Sequence, residues 1–402
     1  MLAIKNGKIL TISKGIIEKG TILIDKRKIV KIGKNIDIPS DSRVIDASGK
    51  VVMPGMIDAH CHTGVFADGV GGGESDGNEM TNPVMPHLRA IDAINPEDMA
   101  FKDLREGGVT TINTGPGSGN VIGGQTAVIK TYGKIIEEMI IRAPGGMKMA
   151  LGENPKRVYG GQKKTPSTRM GNAAILREWL VKASDYQNKW KRYEEKLSCY
   201  KGSREGIKRP EPPEKNLCLE ELALVLERKI PAHIHAHRAD DILTALRIAK
   251  EFNINLVLIH ATEGYKIADI LAKKEVPCIV GPILFSRSKY ELRGMTPRNP
   301  ALLSKAGVKV ALQTDEMSAV RYLLLNAALA VEQGMDENEA LKAITLYPAQ
   351  ILGIEDRVGS LDVGKDADII ILSAYPLEVT KSHVEIVLIN GEIVYERKTG
   401  NL

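Results

Sequence analysis

The sequence predicts an α/β protein in which a parallel βα barrel carries a small β-sandwich made from both ends of the chain. Three observations lead there. Short strand-like runs separated by Gly turns crowd roughly the first and last 50 residues. Between them, apolar strand-like runs alternate with segments of helical apolar spacing, the mark of parallel βα units. Several central strands also end in His or Asp. A doubly wound sheet is the competing architecture, but a closed barrel turns every strand end toward one mouth and so gathers those residues. At 402 residues the chain exceeds the usual size of a single core, so a large unit with a smaller one is expected. We place the sandwich at 1–52 and 355–402 and the barrel at 53–354, with an insertion at about 155–216.

At the start of the chain, Ala3-Ile4, Lys8 to Ile12, Thr21 to Ile24 and Lys28 to Ile32 read as strands. Asn6-Gly7, Lys19-Gly20 and Asp25-Lys26-Arg27 are the turns between them. Gly359 to Leu361, Ala367 to Leu372 and Val384 to Val394 have the same character. Neither end alone has enough strands for a stable layer, so the two are expected to pair. In the middle, Val51 to Ile57 opens the barrel across a Pro-Gly break, and strands follow at 109–113, 147–151, 230–236, 255–260, 276–280 and 308–312. Asp240 to Phe252, Gly264 to Lys274 and Val320 to Gln333 carry helical spacing. Within the insertion, Ala173 to Tyr200 reads as a long charged helix whose basic residues form a solvated face, and it lies near the mouth because it follows a barrel strand. Gly152 to Gly161 is polar and glycine-rich at a strand end, where Arg157 and Tyr159 are candidates for meeting substrate.

Composition narrows the function. Net charge is +5, with 55 Lys and Arg spread among 50 acidic residues, which leaves no nucleic-acid footprint. The chain shows no signal peptide and no apolar run long enough for a membrane, so cytoplasm is the expected location. The four cysteines show no close pairing and no Cys-x-x-Cys, which argues against a disulfide framework. Cys61 lies between two histidines on a strand and reads as a packing residue facing away from them.

The chemistry centres on Asp58-Ala59-His60-Cys61-His62. Residues two apart on a strand share a face, so His60 and His62 can aim at one point, which is half of a tetrahedral zinc site. His235 and His260 end later strands, and Asp315 follows Val308 to Thr314 in the same way. A lone histidine at a strand end is usually a core residue. Two more histidines and an aspartate after separate strands, added to a His-x-His pair, favour a metal centre in which the carboxylate can also take a proton from water. Gly115-Pro116-Gly117-Ser118-Gly119 with Gly123-Gly124 raises nucleotide binding, but it lacks the Walker lysine and the dinucleotide spacing and reads as a mouth loop.

On these motifs the sequence resembles the amidohydrolase superfamily, in particular its imidazolonepropionase-like and prolidase-like metal hydrolases. Pro54 to Gly64 is similar to the family's first-strand signature, Thr314-Asp315 to its last-strand aspartate, and Gly359 to Ile369 to the return from barrel to sandwich. The resemblance implies a distorted (β/α)8 barrel holding one or two divalent ions, usually zinc, although His and carboxylate donors also suit Fe, Mn and Ni. His60 and His62 would hold one ion and His235 and His260 the second, with Asp315 completing the site and serving as general base. His235 is chosen because in related sequences the ligand precedes Ala. His237 is the runner-up, or a substrate contact. Relatives bridge the ions with a carboxylated lysine or a glutamate. Lys148 falls inside its strand while Glu153 lies just past the strand end, so Glu153 is the choice here. The implied activity is hydrolysis of a C–N bond in a cyclic or linear amide, amidine or dipeptide by metal-activated water. A deaminase, a deacetylase and a noncatalytic scaffold are the alternatives. The expected partner is a small-molecule substrate, and a homo-oligomer is the default for a soluble enzyme.

Overall fold

Sixteen strands hydrogen-bond into two eight-stranded sheets in the computed structural model, which describes residues 1–68, 76–201, 208–284 and 286–398. Residues 202–207 of the expected insertion and 399–402 of the expected sandwich lie outside the described residues. The first sheet joins both ends of the chain. It contains β1 (Leu2–Leu10), β2 (Ile16–Asp25), β3 (Lys28–Gly33), β4 (Arg43–Asp46), β5 (Val51–Pro54), β14 (Ile369–Leu372), β15 (Val384–Ile389) and β16 (Glu392–Glu396). Its order is β16-β15-β14-β5-β1-β2-β3, with β4 alongside β1. The seam is the antiparallel pairing of β5 with β14, Val52 opposite Ile371. Ile4, Ile9, Ile22, Ile24 and Ile29 from one end pack with Ile369, Ile371 and Leu388 from the other in one buried cluster, so neither end could bury its apolar face alone.

The second sheet runs in sequence order through β6 (Met56–Cys61), β7 (Val109–Thr114), β8 (Ile122–Lys130), β9 (Ile140–Ala150), β10 (Ala232–Ala236), β11 (Leu256–His260), β12 (Cys278–Val280) and β13 (Val310–Leu312). It closes at the mouth, where Asp315 N–H donates to the His60 carbonyl (3.2 Å) and His62 N–H to that of Glu316 (3.0 Å). One strand departs from the parallel pattern. β8 pairs antiparallel with both β7 and β9. Its second and third residues are Gly123-Gly124, which from sequence alone extended the preceding glycine-rich loop. Gly124 sits at φ +124°, at a register shift, where a Cβ would lie 2.6 Å from the Leu88 carbonyl.

The insertion forms helices Glu153–Gly161 and Arg169–Lys201 before Leu217–Leu226 leads into β10. The long helix lies against Ala239–Phe252 through Arg169 on Asp241 and Arg177 on Glu251. Asn172 donates to the Gly152 carbonyl (2.9 Å), which ties the insertion to the end of β9. Among the described residues, no helix is long and apolar enough to cross a membrane.

The two sheets meet over a buried ion-pair network. Lys130, on β8, reaches Asp368 and Asp366 (3.1 Å), and Asp366 also accepts from Lys28 and Arg357. Asp368 further accepts from Asn390 N–H (2.9 Å). Asp366 and Asp368 come from the Gly359 to Ile369 stretch singled out above, so that stretch anchors one unit to the other. Lys130→Met strips the cation from Asp368 while Asp366 keeps Lys28 and Arg357. A loss of about 3–5 kcal/mol in urea unfolding is the expected result. Burial pushes the Asp366 carboxyl up, but Lys130, Lys28 and Arg357 outweigh it and hold it below the usual range. Its contribution is present above the unfolded carboxyl pKa of about 3.9 and fades as pH falls through the lower folded value. Unfolding titrations should therefore show a weaker acid dependence in the variant than in the wild type.

Candidate metal centre

Asp315 Oδ1 is the hub of the mouth. It lies 3.4 Å from His60 Nε2, 3.3 Å from His62 Nε2 and 3.8 Å from His260 Nε2. The backbone turns sharply to deliver these groups, with His260 at φ +71° and Asp315 at φ +58°. Such values are uncommon for residues with side chains and cost on the order of 1–3 kcal/mol each, so the surroundings must hold them. Part of that hold is Asp58. Its Oδ2 accepts from Thr314 N–H (3.1 Å) and Oγ1 (2.7 Å), and its Oδ1 from His60 N–H (3.0 Å), which fastens β6 to the turn carrying Asp315.

Outer contacts fix the imidazoles. His62 Nδ1 donates to the Gly115 carbonyl and His260 Nδ1 to that of Gly281, both at 2.8 Å, so each Nε2 is left as a bare acceptor facing inward. Gln313 Nε2 donates to the same Gly281 carbonyl (2.9 Å). His237 Nδ1 pairs with Thr262 Oγ1 (2.7 Å), and its Nε2 has no partner among the described residues. Neither ring nitrogen of buried His235 has one among them either. Ligand atoms of His235, His237 and His260 lie within 4.8 Å of one another, and those of His60, His260 and Asp315 do the same.

Burial drives the protonation states. It pushes His260 down to about 4 and holds His60, His235 and His237 well below the usual histidine value, so these rings are neutral and competent as ligands at neutral pH. For Asp315 burial works the other way, but the positive charge that His260, His60 and His62 carry when protonated outweighs burial and holds the carboxyl well below its usual range. Lys148, fully buried on β9, is pushed down to about 8, chiefly by desolvation. Its Nζ stands 2.7 Å from His60 Nε2. Orphaned imidazole nitrogens around an ionised carboxylate form a donor set that fits a borderline divalent cation.

The Amidohydrolase family model matches residues 51–394. The chain belongs to that family. Among solved structures it is similar to an amidohydrolase from Thermotoga maritima MSB8, with 44% identity and a TM-score of 0.91 over 99% of this chain and 100% of that one. Among curated proteins it is similar to amidohydrolase tasK of Hapsidospora irregularis, 27% identical over 390 residues. That match covers 91% of this chain but only 39% of tasK. Imidazolonepropionase of Paracoccus denitrificans (strain Pd 1222) is 24% identical over 399 residues, 91% of each chain.

Within this amidohydrolase barrel, the structure brings His60, His62, His235, His237, His260 and Asp315 together at one mouth. It does not bring Glu153 there. The Glu153 carboxylate accepts from Glu291 N–H (3.2 Å), at the start of its helix, whereas Lys148 reaches the cluster from inside β9 because its four-carbon stem spans the gap. Tyr159 is buried and its hydroxyl donates to the Asn82 carbonyl (2.9 Å), so it is committed to packing. Arg157 is exposed on the same helix. Sequence reasoning missed Glu291, a fully buried glutamate after β12 whose Oε1 lies 3.9 Å from His235 Nε2 and 3.7 Å from His237 Nε2. It sits in the polar run Ser286 to Arg293, where no spacing singles it out.

Proposed function

We propose that the chain is a metal-dependent hydrolase that cleaves a C–N bond in a cyclic or linear amide, amidine or dipeptide. The observation that carries this reading is the ionised Asp315 carboxylate ringed by the inward Nε2 atoms of His60, His62 and His260. His60, His62 and Asp315 would hold one ion and His235 and His260 a second, with Lys148 between them in its carboxylated form. When bound, a divalent ion, zinc for this N and O donor set, would acidify a water and polarise the scissile carbonyl. Asp315 would orient that water, accept its proton and return it to the departing nitrogen. The Asp58–Thr314 pairing would keep the carboxylate from swinging away during that transfer. The buried walls would exclude bulk water from the proton path. Activity against a panel of N-acyl amino acids, dipeptides, cyclic amides and amidines should vanish after chelator dialysis and return with added Zn2+. Turnover by metal-free protein at the loaded rate would contradict the reading.

A further inference from the structure

We propose that the end of the barrel opposite the metal centre carries a binding site for a di- or triphosphate group. A cavity of about 1030 Å³ lies there, between the starts of β10 to β13, at Pro231, Leu256, Pro277 and Lys309, and the ends of the helices outside them. His235 and His260 stand at the other ends of β10 and β11, so a substrate at the mouth does not reach this cavity. The site is independent of the hydrolase reading and gives the molecule a second ligand.

Charge singles this cavity out. Arg142, Arg228, Lys229, Lys250, Lys274 and Lys309 line it, with Glu275 as the one carboxylate. The lining therefore carries a net charge equal to the +5 of the whole chain, and the other residues balance. Among the described residues, only Lys229 of the six has an ion pair, with Glu227 (2.6 Å). The exposed Lys250 and Lys274 side chains have no hydrogen-bond or ionic partner there. Helix ends offset part of the surplus. Leu217–Leu226, Ala239–Phe252, Ala268–Lys273, Asn299–Lys305 and Leu346–Leu352 all end beside the cavity. Each carbonyl end brings about half a negative charge, which leaves on the order of two to three positive charges unmatched. Lysines that served only to neutralise helix ends would not exceed them. Arg142 gives the site a fixed point. Its Nη1 donates to the Leu352 carbonyl (2.9 Å) and its Nη2 to that of Lys229 (3.0 Å), and Gly353, at φ +66°, leaves room that a Cβ would take from Nη1. Arg228 is likewise placed, its Nε donating to Asn255 Oδ1 (2.7 Å). Guanidinium groups with N–H to spare beside free ammonium groups suit phosphate oxygens. One phosphate carries about −1.5 to −2, less than the surplus, whereas two or three linked phosphates match it. Leu246, Ala272 and Ile351 add apolar wall, so the cavity also has room for an organic body on the phosphates.

The test is calorimetric titration of the full chain with orthophosphate, inorganic triphosphate and ATP. It compares wild type with the double variant Lys250→Gln, Lys274→Gln and with a control of equal charge change, Lys31→Gln, Lys34→Gln, at the sandwich sheet. All four lysines are exposed, so both double variants should fold. Wild type should bind triphosphate and ATP with Kd below about 1 mM, and orthophosphate at least about tenfold more weakly. The cavity variant should weaken triphosphate binding by about tenfold or more, and the control by less than about twofold. ATP tighter than inorganic triphosphate makes a nucleotide the occupant, and equal affinity makes it the polyphosphate chain alone; either supports the site. Absence of triphosphate and ATP binding up to about 1 mM overturns it, as does orthophosphate binding as tight as triphosphate. An affinity unchanged in the cavity variant overturns it too, and is the result expected if the phosphates bind a metal at the mouth instead. Equal weakening in both double variants also overturns it, since that marks a response to net charge and not to this cavity.

Discussion

Asp315→Asn should lower kcat/KM by about 10³- to 10⁴-fold while metal content stays within a factor of about two of wild type. Asparagine retains an oxygen where Asp315 Oδ1 now lies 3.3 to 3.8 Å from three imidazole nitrogens, so a donor to the ion remains. What disappears is the group that takes the proton, and an amide cannot replace it. The loss should fall on kcat more than on KM, because the proton moves only in the chemical step. Activity within about tenfold of wild type would remove Asp315 from the proton path.

Lys148→Met should cost on the order of 10²- to 10³-fold in activity, the range seen when one preorganised electrostatic element is removed, and at least one ion should be lost with it. The side chain ends 2.7 Å from His60 Nε2 in a fully buried position, where an unmodified ammonium would oppose a nearby cation. Reaction of the neutral amine with carbon dioxide, forming an N–C bond and releasing a proton, gives a carbamate whose oxygens carry the negative charge, which removes the conflict. Burial favours that chemistry, because pushing Lys148 down to about 8 raises the fraction of neutral amine available to react. Glu153→Gln is the paired control. Its carboxylate is engaged by the Glu291 loop, so activity should stay within a few-fold. A large loss in Glu153→Gln with little effect in Lys148→Met would reverse the assignment.

Much of this fold was legible because its signals are local. The alternation of apolar runs located seven of the eight barrel strands, and the helix expected from Ala173 to Tyr200 spans Arg169–Lys201. Strand β8 escaped because Gly123-Gly124 reads as loop, and it runs antiparallel because only the short segment 115–121 joins it to β7, too little chain for a parallel crossover. At the site, residues that end strands announced themselves by position: His60, His235, His260 and Asp315 each follow an apolar run. Residues that act by reach did not. Lys148 was set aside for lying inside its strand, although a long side chain can leave a strand and arrive at the mouth. Glu291 came from a loop whose course depends on Gly152 and Glu153, and no spacing in a single sequence encodes that meeting.

Anomalous diffraction at the zinc edge from crystals of the loaded protein puts the central claim at most direct risk. The account predicts a peak bonded to Asp315 Oδ1 and to Nε2 of His60 and His62, at about 2.0–2.2 Å from each. Full-occupancy zinc elsewhere on the molecule, with none within bonding reach of Asp315, would contradict it.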